Sequence, residues 1–84
     1  MIDNLTDAEL LSRIRAKLGS ATLPRGSPTK VYGGHGSGQA CAACDEPIAL
    51  AEAEIEVSSA DDRQRLYHPR CFNLLTAERA KLTN

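Results

Sequence analysis

Two pairs of residues in this 84-residue chain have the types and spacing of metal ligands: Cys41 with Cys44, and His68 with Cys71. Ala42-Ala43 separates the first pair and Pro69-Arg70 the second. Two intervening residues let a tight turn, or the first turn of a helix, aim both side chains at one point. Zn²⁺ takes four such donors in a tetrahedron, and Cys₃His is an established structural set. Residues 45–67 lie between the pairs, about the length of a short β-hairpin, and all 3 cysteines are used. Four protein ligands would leave no position open for water or substrate, so the expected metal is one structural zinc ion rather than a catalytic one.

Other uses of these side chains are open on spacing alone. Cys41 and Cys44 could form a redox pair, but a thioredoxin-like motif needs a βαβ context that a Gly-rich approach does not offer. Cys71 could pack as a small hydrophobe beside Phe72, with His68 as an ordinary cap residue. Iron–sulfur clusters usually take four thiolates. The zinc-deaminase pattern of His-x-Glu followed by Pro-Cys-x-x-Cys is absent. His35 is a spare candidate, and a lone histidine in a glycine loop is expected to be solvated.

The elements that must position the four residues can be read on either side of them. Glu54-Ile55-Glu56-Val57-Ser58 alternates polar and apolar side chains as a half-buried strand does. Ser59-Ala60-Asp61-Asp62 is turn chemistry, and Arg63-Gln64-Arg65-Leu66-Tyr67 returns as the second strand of a hairpin. Pro69 suits the first position of a helix, which Phe72, Leu75, Arg79 and Leu82, with Leu74 and Ala77 alongside, continue.

Upstream, Thr6-Asp7-Ala8-Glu9 is a capping box, and Leu5 and Leu10 are placed as a hydrophobic staple. Leu10, Leu11, Ile14 and Leu18 repeat at helical spacing, Arg13, Arg15 and Lys17 crowd the last turns, and Gly19 supplies the stop. A helix over 7–18 follows. Alone it would be marginal in water, so its stripe is expected to pack on the C-terminal helix or on a second copy. Between helix and cysteines, Pro24, Pro28 and Gly33-Gly34-His35-Gly36-Ser37-Gly38 read as a flexible linker or a loop packed near the metal. It is a weak phosphate cradle, since the Lys-Ser/Thr of the Walker pattern is missing and no apolar strand precedes it. The chain thus divides into an amphipathic helix at 1–19, a Gly/Pro/Ser-rich segment at 20–40 and a Cys₃His module at 41–84.

Bulk composition agrees with a metal staple. The chain is 42% hydrophobic but only 4% aromatic, without Trp. Scaffolds below about 70–80 residues usually need a disulfide, a metal or a partner. An odd cysteine count argues against a disulfide framework. The acidic start, Met1-Ile2-Asp3-Asn4-Leu5-Thr6-Asp7, lacks the basic and apolar regions of a signal peptide, and no run is long enough to span a bilayer. A reducing cytoplasm is the expected location.

At Cys41-x₂-Cys44, the hairpin and Tyr67-His68-Pro69-Arg70-Cys71-Phe72, the chain resembles the first zinc module of a LIM domain and, more broadly, a treble-clef finger. The likeness covers about residues 40–82. It implies a small α+β, zinc-stabilised fold: a zinc knuckle, a β-hairpin and a C-terminal helix, here preceded by the amphipathic helix and the Gly/Pro-rich loop. Two departures stand out. The second LIM zinc module is missing, and the helix after Cys71 continues where a LIM domain would soon present another cysteine. The chain is also similar to short bacterial zinc-finger proteins with an N-terminal helix and a Gly-rich approach, a likeness that implies no defined activity.

Net charge is −1, yet residues 41–84 carry the acidic excess. Together with the scarcity of aromatics, this favours a protein partner over nucleic acid, and LIM-like modules are similar in being adaptors. The competing class is a DNA- or RNA-binding regulator, using Arg13, Arg15, Lys17, Arg25 and Lys30 with Arg63, Arg65 and Arg70. No nucleophile–base pair or pair of pocket carboxylates argues for an enzyme. The expected assembly is a monomer or a weak homodimer.

Overall fold

The protein is described by a computed structural model covering residues 5–24, 26, 28–60 and 63–82. Asp3, Arg25, and the turn residues Asp61 and Asp62 fall outside the described residues, as does the side chain of Leu82. The elements are α1 (Asp7–Gly19), β1 (Lys30–His35), β2 (Ala53–Ser58), β3 (Gln64–Tyr67) and α2 (Pro69–Leu82). The strands form one antiparallel sheet in the order β1-β2-β3. Among the described residues the fold is a small α+β arrangement of two helices and a three-stranded sheet.

Helix α1 begins as its sequence dictates. Thr6 Oγ1 accepts from the Glu9 N–H at 3.1 Å, and Glu9 Oε1 accepts from the Thr6 N–H at 3.3 Å, closing the capping box. Its end differs from expectation. Gly19 stays helical, Ser20 caps the helix with ordinary φ, and the left-handed residue is Ala21 at φ 61°. Thr22 and Leu23 donate their N–H groups back to the Lys17 carbonyl, which folds the chain under the helix and buries Leu23. Tertiary burial of Leu23 therefore sets the exit, rather than glycine's conformational freedom.

The apolar stripe of α1 packs within the chain. Leu10, Ile14 and Leu18 share one core with Val57, Tyr67 and Leu75. Leu5 packs against that core from just outside the helix. Arg70 pairs with Asp7 at 2.6 Å and Arg15 with Glu78 at 2.9 Å. Both hydrogen-bonded pairs span the same sequence separation, 63 residues, so α1 and α2 run side by side in the same direction.

Strand β1 is the main departure from the sequence reading, which placed residues 30–35 in a linker or packing loop. It pairs along its whole length with β2, from Lys30 opposite Ser58 to His35 opposite Ala53. All six of its residues are exposed, so no buried–exposed alternation marks the strand in the sequence. Beyond it the chain continues antiparallel to residues 46–52: Gly36 donates to Glu52, Ile48 to Gln39, and Cys41 to Glu46. Gly36 must be glycine, because a Cβ there would stand 1.9 Å from the Ala49 carbonyl oxygen. The Gly-rich segment is thereby held against the cysteine turn.

Candidate metal centre

Cys41 and Cys44 sit on a turn closed by the Asp45 N–H donating to the Cys41 carbonyl at 2.9 Å. Asp45 takes φ 67°, reversing the chain so that Cys41 can donate to Glu46. The Ala42 N–H donates to Leu66 in β3 at 2.8 Å, which fixes the turn to the strand leading to the second pair. That strand ends at Tyr67. His68 then precedes α2, accepting from Phe72 N–H at 2.9 Å, and Cys71 lies in the first helical turn. A residue and its i+3 neighbour share one face of a helix, which is why His68 and Cys71 converge.

The four donor atoms lie within 4.8 Å of one another, and all four residues are buried. His68 Nδ1 is 3.5 Å from Cys44 Sγ and 3.9 Å from Cys71 Sγ. A tetrahedral ion with Zn–S of about 2.3 Å and Zn–N of about 2.0–2.1 Å has S···S edges of about 3.8 Å and S···N edges of about 3.6 Å. The cluster fits that size. Among the described residues it is the one group of His, Cys, Asp or Glu side chains arranged to hold an ion. His35, by contrast, is exposed at the end of β1 and outside the group.

Electrostatics also suits a cation. Hydrogen bonds from Cys44 and then Cys71 hold the Cys41 thiol far below its ordinary value. Cys44 and Cys71 are pushed up, chiefly by hydrogen bonding with Cys41, and burial adds to the rise in each. A dication held among the three sulfurs would favour the thiolate form of each. No cysteine is in a disulfide.

Around the cluster stand partners that sequence reasoning did not assign. His68 Nε2 faces the Pro47 carbonyl at 3.2 Å, with Glu52 Oε1 at 3.8 Å. Lys17 donates to the Ala42 carbonyl at 2.8 Å and to Asp45 Oδ1 at 2.6 Å, and Arg13 donates to the Cys44 carbonyl. Both cations belong to α1, one turn apart, where the sequence suggested a favourable helix end or contacts to nucleic acid. Their i, i+4 spacing was the available signal, but what they would touch depends on how α1 docks.

No protein-family model, curated protein or solved structure matches the chain. No helix among the described residues is long and apolar enough to cross a membrane.

Proposed function

We propose that Cys41, Cys44, His68 and Cys71 hold one structural zinc ion in a treble-clef-like, LIM-resembling module, and that the protein is a non-catalytic interaction module for a protein partner. The observation that carries this reading is a complete, buried Cys₃His donor set of tetrahedral size. With four protein donors, zinc would act as a cross-link between the cysteine turn and the start of α2. It would supply cohesion that the small apolar core lacks. The free thiols suit a reducing compartment such as the cytoplasm.

Protein rather than nucleic acid is supported by how the basic residues are used. Arg13 and Lys17 hold backbone carbonyls of the cysteine turn, Arg15 pairs with Glu78, and Arg70 pairs with Asp7. Cations engaged in this way build the fold rather than an open phosphate-binding face. The test begins with elemental analysis of purified protein, which should return one zinc per chain. Captured partners should then be protein, with binding that survives moderate salt. Binding to DNA or RNA that falls steeply with ionic strength would overturn the partner class and leave the zinc assignment standing.

A further inference from the structure

We propose that β1 is a dimerisation strand, pairing antiparallel about a two-fold axis at Gly33 with β1 of a second copy of this chain. The inference rests on the sheet and not on the identity of the metal.

The phase of the β1–β2 ladder shows which backbone groups are free. Gly36 donates to Glu52, and the register carries that hydrogen-bonded phase to Gly34, Tyr32 and Lys30. In an antiparallel ladder the alternate residues direct N–H and C=O the other way. Val31, Gly33 and His35 thus present theirs outward, where no loop or turn of the described residues bonds them. The opposite edge of the sheet is treated differently, since Ala42 covers Leu66 of β3.

The composition of β1 is that of an edge left open. Natural edges are commonly blunted with charge, proline or a bulge. Residues 31–34 are Val-Tyr-Gly-Gly, with Val31 46% and Tyr32 55% exposed. The two glycines have no internal reason to be there. Neither has positive φ, and a Cβ at either would meet nothing within 4 Å. Glycine weakens a strand, and its presence in a strand interior often marks close approach by another backbone.

A second copy satisfies this edge in one register. With Gly33 opposite Gly33 of the other chain, Val31 faces His35 and all three outward residues exchange hydrogen bonds in both directions. Tyr32 of each copy then lies across from Gly34 of the other, so an exposed ring covers a residue without a side chain. Tyr32 shares its sheet face with Glu54 and Glu56 of β2, by the register. The Lys30 side chain reaches over the glycine backbone of the partner toward that acidic face. The two Lys30 residues stand at opposite ends of the pair, so no like charges meet. This is the self-complementary contact that a two-fold dimer requires.

The test uses the full chain, with its metal content measured so that failure of the zinc reading appears separately. Sedimentation equilibrium should show the average mass rising from 9.0 kDa toward twice that value with concentration. The useful range is about 10 µM to about 1 mM, because one strand pair falls below the standard interface of about 1,600 Å². Gly33→Asp and Gly33→Lys should each stay monomeric and folded, since either side chain points into open space in one chain. Mixed in equal amounts they should regain the dimer, because the two-fold places residue 33 against itself and converts repulsion to attraction. Amide exchange at Val31, Gly33 and His35 should slow as concentration rises. A constant mass of 9.0 kDa across the range would overturn the proposal and leave the edge to a foreign strand. So would association that Gly33→Asp leaves intact, or variants that do not restore each other.

Discussion

His68 presents Nδ1 to the sulfurs and Nε2 to the carbonyl oxygen of Pro47, 3.2 Å away. A carbonyl can only accept, so Nε2 carries the proton and Nδ1 is left with its lone pair toward the cluster. Ligating histidines commonly give their second N–H to such a partner, which fixes tautomer and ring orientation. Nitrogen NMR of the zinc-loaded protein should therefore find Nδ1 metal-bound and Nε2 protonated. The reverse assignment would mean the ring is flipped.

Glu52 stands behind that arrangement, 3.8 Å from His68 Nε2, while also accepting from the Ala49 N–H at 2.8 Å. Glu52→Ala should weaken zinc binding by about tenfold, the lower end of the usual range for such outer partners. Competition with a chromophoric chelator measures it. His35→Ala, remote at the end of β1, should leave the affinity unchanged.

Removing the metal should unfold the molecule rather than empty a pocket, because the three cysteines are themselves core residues alongside Ile48 and Leu75. Zinc binding of about 10–16 kcal/mol is largely folding free energy in modules of this kind. Chelator should collapse amide dispersion in both the sheet and α2, and Cys44→Ser or Cys71→Ser should do the same. A chelated sample that keeps its dispersed spectrum would show that the core stands without metal.

Ile14 is fully buried, in the core that also holds Leu75 and the three cysteines. Ile14→Ala should cost about 2–5 kcal/mol, as deletion of a large buried side chain does. Because Arg13 and Lys17 flank it and hold the Cys44 and Ala42 carbonyls, zinc affinity should fall with stability. Thermal unfolding and metal competition on the same variant test both.

Arg79 is 6% exposed, and only its Nε is satisfied, donating to the Pro24 carbonyl at 3.0 Å. Nη1 and Nη2 are buried without a hydrogen bond, as is the hydroxyl of neighbouring Tyr67. Burial lowers the Arg79 pKa because it disfavours the charged form. Arg79→Met keeps the aliphatic stem and removes the buried cation, and should raise stability by about 1–2 kcal/mol. Denaturant unfolding with zinc bound checks the sign.

The parts legible in the sequence were those with local causes. The Thr6–Glu9 capping box, the β2 alternation and Pro69 at the start of α2 each depend on neighbours within a few residues. The two residue pairs of the buried Cys₃His cluster were legible for the same reason, since each sits within a single turn. Strand β1 was not, because both its glycines and its solvent-facing side chains give no period, and only β2 makes it a strand. The partners of His68 were hidden too. Nothing near Pro47 or Glu52 in the chain says that a histidine will arrive there from the far side of the hairpin.

The side-by-side run of α1 and α2 has a consequence for synthesis. Asp7 meets Arg70 and Arg15 meets Glu78, each across 63 residues, so α1 is made well before its companion α2. Contacts of such long range slow folding, because the intervening chain must be closed before they give anything back. On the ribosome, α1 would emerge as an amphipathic peptide with its leucines uncovered. Its ion pairs with α2 can form only once Arg70 and then Glu78 have cleared the exit tunnel.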